Sequence, residues 1–110
     1  MQVIGTGYVA SAGTHIFLAA EKEDRFCLPN TRFLIHQPSG GAGGSASDIA
    51  IQAEQIIKMR ERLAQVISKR TGTDIERVRT DIERDKWMDT EDAMEYGIVS
   101  RVVFASSDLV

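Results

Sequence analysis

The sequence predicts a single α/β domain over residues 1–110, because short apolar segments alternate along it with segments of helical periodicity. Residues 2–4, 25–28 and 33–35 are short segments of mostly apolar residues closely followed by glycine or proline, a pattern typical of buried strands. Residues 45–70 instead carry apolar side chains at helical spacing over many turns. A chain of 110 residues has room for one modest hydrophobic core.

The composition excludes several classes of protein. The formal net charge is -3 and basic residues are mixed with acidic ones, which argues against nucleic-acid binding. No stretch approaches the ~18 uninterrupted apolar residues that a membrane helix requires. The one cysteine, Cys27, cannot form an internal disulfide, and its apolar neighbours predict a packing role. A reducing, cytoplasmic location is therefore expected.

The first segments have the order strand, tight turn, helix. A strand over residues 2–4 precedes two glycines, and residues 14–20 are rich in helix formers, with Ser11 at the predicted helix start. Unpaired backbone N–H groups at such a position can stabilise an oxyanion beside the serine. The pattern is not the G-x-S-x-G elbow, because Val9 replaces its first glycine. Small residues here also suit close packing of a helix on a sheet, so both interpretations stay open.

The next two predicted strands lead to a histidine. Residues 25–28 form one strand, a turn follows at Pro29, and residues 33–35 form a second strand that ends in His36. Pro38 and a glycine-rich run over residues 39–44 then follow. Histidine exchanges a proton easily near neutral pH, so His36 is a candidate general base at the mouth of a sheet. A buried histidine bonded to the backbone is the alternative. No lysine follows the glycines at Walker spacing, which argues against a phosphate loop.

The longest predicted helix begins with a capping-box pattern at residues 45–48 and stops at Gly72. One of its faces is predicted to pack on the core, and it carries Ile49, Ala53, Ile56, Ile57, Leu63, Ala64 and Ile67. A second apolar stripe holds Ile51, Met59 and Val66. Because a single domain needs only one buried stripe, the second predicts contact with another subunit, unless these are simply scattered exposed residues.

The C-terminal third is predicted to contain two short helices and a strand. A capping box starting at Thr73 opens a helix buried through Ile75, Val78 and Ile82. Residues 83–88 are interpreted as a charged turn closed by two large apolar residues, and Asp89 with Thr90 caps a helix through Tyr96. Residues 98–104 are predicted to form the last strand, and residues 105–110 a frayed tail.

Three residues together supply the parts of a nucleophilic site. Ser11 would be the nucleophile, His36 the general base and Asp85 the carboxylate that orients the base. The chain order Ser, His, Asp neither supports nor excludes a triad. His15 is a rival base, because it follows Ser11 by four residues and helical side chains lean toward the N-terminus. Spacing does not decide between the two histidines.

Five sequence blocks resemble the proteolytic subunit family of the Clp protease, and the resemblance covers residues 1 to about 103. The blocks are Val9-Ala10-Ser11-Ala12-Gly13, Arg25-Phe26-Cys27-Leu28-Pro29-Asn30, Ile35-His36-Gln37-Pro38 with Gly40-Gly41, Glu83-Arg84-Asp85 and Glu95-Tyr96-Gly97. The resemblance implies the C-terminal half of a crotonase-like α/β domain, with a long handle helix within residues 39–70. It implies the proteolytic subunit of an ATP-dependent protease, a serine endopeptidase that itself uses no ATP and cleaves unfolded polypeptides with Ser11 as nucleophile, His36 as base and Asp85 as acid. By the same resemblance His15 has an incidental role.

The resemblance also implies an assembly. Family members form stacked seven-membered rings, and a separate AAA+ unfoldase uses ATP to deliver substrate to them. The resemblance implies no cofactor, metal, nucleic acid or membrane for this chain. Ile51, Met59 and Val66 would then lie at subunit contacts, and Arg84 would couple ring contacts to the geometry of the triad.

Two departures from the family pattern matter. Ala12 replaces a methionine common after the nucleophile, although its backbone N–H still suits the oxyanion. Family members also carry an N-terminal half with a glycine pair that completes the oxyanion hole. The chain is therefore expected to be a fragment or a truncated product, and activity of the isolated 110 residues is doubtful. The alternatives are a non-catalytic ring subunit, which tends to lose the triad, and a crotonase-type acyl-CoA enzyme, which needs none.

Overall fold

The computed structural model describes residues 1–10, 12–36 and 44–109, with Ala12 described by its backbone alone. Ser11, Val110 and residues 37–43, which hold most of the predicted glycine-rich run, lie outside the described residues. The elements in chain order are β1 (Val3–Gly5), β2 (Tyr8–Ala10), α1 (Ala12–Phe17), β3 (Arg25–Cys27), β4 (Arg32–Ile35), α2 (Ala46–Thr71), α3 (Ile75–Glu83), β5 (Lys86–Met88), α4 (Thr90–Tyr96) and β6 (Arg101–Val102). Short 3₁₀ turns lie at Lys22–Asp24 and Ser106–Leu109.

The strands form two three-stranded sheets. One has the order β1-β3-β6, with all pairs parallel. The other has the order β2-β4-β5, in which β2 and β4 are parallel and β5 runs antiparallel to β4. The strands alternate with helices along the chain, as expected for parallel strands that need crossover connections. The predicted α/β class is confirmed.

The core lies where α1 and the C-terminal part of α2 meet the sheets. Phe33 of β4 is fully buried, and its ring meets that of Phe17 edge-on at a centroid distance of 5.4 Å. Cys27 is fully buried among the core residues, and burial raises the pKa of its thiol to about 11. Its predicted packing role is therefore confirmed, because a buried protonated thiol is a poor nucleophile.

The long helix α2 begins and ends where its sequence predicts. The Ser45 side chain accepts a hydrogen bond from the Asp48 N–H, and the Asp48 side chain accepts one from the Ser45 N–H. Gly72 closes the helix in the left-handed conformation, with φ of 78°. The predicted core stripe is correct only near this C-terminal end, where Ala64 and Ile67 are buried.

Toward its N-terminus α2 leaves the core. Ile49 is 42% exposed and Ile57 is 63% exposed, and Ala53 is exposed as well, so the prediction that they pack on the core is wrong. The physical reason is length, since a helix of 26 residues is about 39 Å long and the principal extents of the described chain are 57 × 24 × 23 Å. The helix therefore projects beyond the two sheets.

A buried arginine donates hydrogen bonds at the C-terminal end of this projecting helix. Arg25 is fully buried, and its Nη2 donates to the backbone oxygens of Arg70 at 2.8 Å and Gly97 at 3.3 Å. These carbonyls lie at the C-terminal ends of α2 and α4, where partial negative charge accumulates. A Cβ at Gly97 would stand 2.1 Å from the Thr71 oxygen, so only glycine permits this approach of the two helix ends.

Several predicted boundaries in the remaining segments need correction. Asp74, not Thr73, caps α3, because its carboxylate accepts from the N–H groups of Glu76 and Arg77. The last strand is much shorter than residues 98–104, and residues 106–109 form a 3₁₀ turn where a frayed tail was predicted. That turn is held by Asp108, whose carboxylate accepts from the Phe104 and Ala105 N–H groups.

Candidate active site

The sheet β2-β4-β5 brings three candidate segments to one edge. β2 ends at Ala10, the residue before Ser11, and β4 ends at Ile35, the residue before His36. β5 begins at Lys86, the residue after Asp85. Because β2 and β4 are parallel and β5 is antiparallel to them, two strand ends and one strand start meet at the same edge.

Strand register explains why His36 lies opposite Asp85. In the antiparallel pair, Leu34 faces Trp87 and Ile35 faces Lys86, so the next facing positions are His36 and Asp85. The structure places His36 Nδ1 at 3.8 Å from Asp85 Oδ1. The side chain of His36 is 29% exposed and that of Asp85 is 68% exposed. This separation is longer than a hydrogen bond, so the two groups are neighbours that are not hydrogen-bonded at these two atoms.

The candidate nucleophile itself lies outside the described residues. The structure describes the residues on either side of it, Ala10 at the end of β2 and Ala12 at the start of α1. The first N–H groups of a helix have no partner within that helix, so the backbone of Ala12 is suited to face an anion. The role of Ser11 stays a prediction from its sequence context.

The two histidines differ in their surroundings. His15 lies in the last turn of α1 with an exposed side chain. His36 directly follows β4, and its Nδ1 lies 3.8 Å from the Asp85 carboxylate. The carboxylate that could orient an imidazole ring therefore lies beside His36, which favours it as the base.

β5 is a strand where the sequence predicted part of a charged turn. Lys86, Trp87 and Met88 form a strand in which Met88 is 1% exposed and Trp87 is 49% exposed. The β-favouring tryptophan, followed by a second large apolar residue, was the available sequence signal. On the exposed face, Trp87 reaches across β4 to Tyr8 of β2, with the rings edge-on at a centroid distance of 6.1 Å.

A second missed feature is the hydroxyl of Thr14. This α1 side chain is only 3% exposed, and its Oγ1 lies 3.2 Å from the Val9 oxygen and 2.9 Å from the Leu34 oxygen. Val9 and Leu34 belong to the two strands that end at the candidate site. A threonine within a helix gives no sequence signal for such a long-range bond, because the strand that carries its partner is known only from the fold.

The residues predicted to contact other subunits are on the surface of the described chain. Ile51 is 58% exposed, Met59 is 55% exposed and Val66 is 37% exposed on α2. Arg84 follows α3 as its C-cap, is exposed, and directly precedes Asp85. The exposure of these side chains is compatible with a contact surface, and their predicted role stays a prediction.

Within residues 1–10, 12–36 and 44–109, no group of three or more His, Cys, Asp or Glu side chains could hold a metal ion. No helix in the described part of the chain is long and apolar enough to cross a membrane.

At this edge a histidine lies opposite a carboxylate, and the neighbouring parallel strand leads to a serine. These are the residue types of the Ser-His-Asp triad of serine hydrolases. The chain belongs to the Clp protease family, whose model matches residues 1–106. Its fold is the crotonase-like α/β fold of that family, as the resemblance implied.

Individual relatives agree with this assignment. The chain is 55% identical over 107 residues to ATP-dependent Clp protease proteolytic subunit 3 of Rhizobium etli, covering 97% of this chain and 55% of that protein. It is 50% identical over 109 residues to the ATP-dependent Clp protease proteolytic subunit of Paracoccus denitrificans, covering 99% and 55%. A solved structure of a ClpP1 mutant from Listeria monocytogenes superposes with a TM-score of 0.90 at 47% identity, covering 99% of this chain and 60% of that one. The chain thus spans about half the length of the curated relatives it matches.

Proposed function

We propose that the protein is a proteolytic subunit of an ATP-dependent Clp protease and that it hydrolyses peptide bonds as a serine endopeptidase. The observation that carries the proposal is the placement of His36 opposite Asp85 at the sheet edge where β2, the strand before Ser11, also ends. The names of relatives at 50–55% identity support the same activity.

The proposed chemistry is acyl transfer through an ester on Ser11. The Ser11 oxygen attacks the peptide carbonyl while His36 takes the hydroxyl proton, and His36 then gives that proton to the leaving amine as the C–N bond breaks. Water attacks the ester in the same way, releases the acid product and restores the serine. Because His36 Nδ1 faces Asp85, the proton exchange with Ser11 falls to Nε2 on the other side of the ring.

The oxyanion formed in each step needs backbone donors. The N–H of Ala12, in the first turn of α1, is proposed as one of them. The other donors are proposed to come from the glycine pair that the family carries in its N-terminal half.

The assembly belongs to the same proposal. The subunit would form stacked heptameric rings in the cytoplasm, and a separate AAA+ unfoldase would spend ATP to deliver unfolded polypeptide. The proposed peptidase chemistry uses side chains, backbone N–H groups and water, so no cofactor is assigned to this chain. Ile51, Met59 and Val66 would line contacts between subunits, with Arg84 linking those contacts to Asp85.

Covalent labelling tests the catalytic part of the proposal. A fluorophosphonate is expected to modify Ser11 in the full-length protein, which here means a complete subunit that carries residues 1–110. The reagent reacts with a serine whose proton a neighbouring base removes. Mass spectrometry of the labelled peptide identifies the site, and Ser11→Ala is the control that should take up no label. A protein that forms rings yet gives no label at Ser11 would be a non-catalytic ring subunit, contrary to the proposal.

The assembly part predicts a change in particle size. Replacing Ile51 and Met59 with glutamate should break the rings into smaller particles, because an unpaired charge buried at a contact costs several kcal/mol. Sedimentation velocity of the full-length protein measures the particle. The matched control replaces two exposed alanines on the other side of α2, Ala50 and Ala53, with glutamate. Dissociation of the control alone would place the contact on that other side and contradict the assignment.

A further inference from the structure

We propose that Thr14 is a positioning residue for the acyl-transfer step, since its hydroxyl joins helix α1 to the two strand ends that precede Ser11 and His36. This inference rests on the proposed peptidase function. Thr14 itself lies in a buried position and is assigned no contact with substrate.

The Thr14 hydroxyl contacts one backbone oxygen on each of the two strands that lead to the candidate residues. Its Oγ1 lies 3.2 Å from the oxygen of Val9, two residues before Ser11, and 2.9 Å from the oxygen of Leu34, two residues before His36. The side chain is 3% exposed, so water does not compete freely for the hydroxyl. One buried group therefore touches the backbone of both strands close to the candidate site.

The bond to Leu34 is the one that adds a constraint between elements. The contact with Val9 closes a local turn between β2 and α1, five residues apart, whereas Leu34 is 20 residues away on β4. A threonine hydroxyl carries one proton, so the two carbonyls share it or the nearer one holds it. Either way the start of α1 is tied to the strand that carries the proposed base.

Removal of this hydroxyl should lower the rate of acylation. A valine of similar shape removes the hydroxyl from a buried contact with the Val9 carbonyl and a part-buried contact with the Leu34 carbonyl, and the local backbone is expected to shift to find other partners. Shifts of about 1 Å between reacting groups can reduce rates by about 10²-fold, so a partial loss of alignment should lower acylation by about tenfold. Binding of the peptide does not depend on this spacing, so KM should change little.

The chain provides a matched control for the loss of a buried hydroxyl. Thr71 is 7% exposed, and its Oγ1 donates to the Ile67 oxygen at 2.6 Å within the last turns of α2. Thr71→Val removes the same kind of bond at the far end of the handle helix. It should lower the thermal midpoint while leaving kcat unchanged.

The experiment compares Thr14→Val, Thr14→Ser and Thr71→Val in the full-length protein. The readouts are kcat and KM for a short fluorogenic peptide, the second-order rate of fluorophosphonate labelling, and the thermal midpoint. Thr14→Val is expected to lower kcat and the labelling rate about tenfold with KM within about twofold, and Thr14→Ser, which keeps the hydroxyl, is expected to restore both rates. Where the valine variant does not fold, Thr14→Ala supplies the same comparison with serine.

Three results would overturn the inference. They are a hydroxyl-free variant with kcat within twofold of the parent, a serine variant as slow as the hydroxyl-free one, and an equal loss of kcat in Thr71→Val. Failure of the proposed function is separate, because it would show as turnover that survives Ser11→Ala in the parent background.

Discussion

Replacing His36 with alanine in the full-length protein should lower kcat by about 10⁶-fold, close to the loss from removing the whole triad. The reason is that a serine hydroxyl is a weak nucleophile until a base takes its proton, and the imidazole also returns that proton to the leaving amine. His36 is the histidine opposite Asp85, with Nδ1 at 3.8 Å from the carboxylate. Initial rates of cleavage of a short fluorogenic peptide, measured without an unfoldase, give the ratio of kcat between the parent and His36→Ala.

The matched control is the other histidine of the chain. His15→Ala changes an exposed side chain on α1 and should leave kcat within about threefold, as expected for a surface substitution. The reverse outcome, a large loss in His15→Ala and a small loss in His36→Ala, would assign the base to His15. It would also remove the proposed function of the His36–Asp85 pair.

The elements with strong local signals were predictable from the sequence. α2 begins at a reciprocal Ser45–Asp48 cap and ends at a left-handed Gly72, and both are chemical features of the residues themselves. The apolar spacing, in contrast, could not show which part of α2 is buried. Ile57 and Ile67 look alike in the sequence, yet one is 63% exposed and the other 2% exposed, because the sheets end before the helix does.

Short strands were less predictable because pairing, not propensity, defines them. β2 and β5 have three residues each, and only the register with β4 between them makes them strands. Strands this short have little local stability, so tertiary pairing decides their existence. The predicted strand over residues 98–104 shows the opposite error, since an apolar run there pairs with β3 over two residues only.

The candidate site was predictable in its residue types and not in its geometry. Histidine at a strand end and aspartate after a helix could be found in the sequence, but their meeting depends on the antiparallel β4–β5 register. The Thr14 bonds depend on the parallel register of β2 with β4 in the same way. Side chains that act through long-range hydrogen bonds leave no local pattern.

Asp85→Asn should lower kcat by about 10⁴-fold, because asparagine keeps the size of the side chain but holds the imidazole in the wrong tautomer and lacks the charge that stabilises the imidazolium. That loss corresponds to about 5.4 kcal/mol of transition-state stabilisation. A unit charge pair at 3.8 Å in bulk water is worth only about 1 kcal/mol, and Asp85 is 68% exposed in the isolated chain. The full effect therefore requires that assembly or bound peptide covers the pair and shortens it to a hydrogen bond.

Salt dependence distinguishes a covered pair from an exposed one. If the pair is covered, the ratio of kcat between the parent and Asp85→Asn should stay near 10⁴ from about 0.1 M to about 1 M salt, because buried charges are screened little. The control Asp92→Asn removes an equivalent charge from an exposed position on α4 and should change kcat less than about threefold. A ratio of only about fivefold that shrinks further in salt would mean that the carboxylate remains in water during turnover. Asp85 would then be a surface charge beside His36, and the residue that orients the base would have to lie elsewhere.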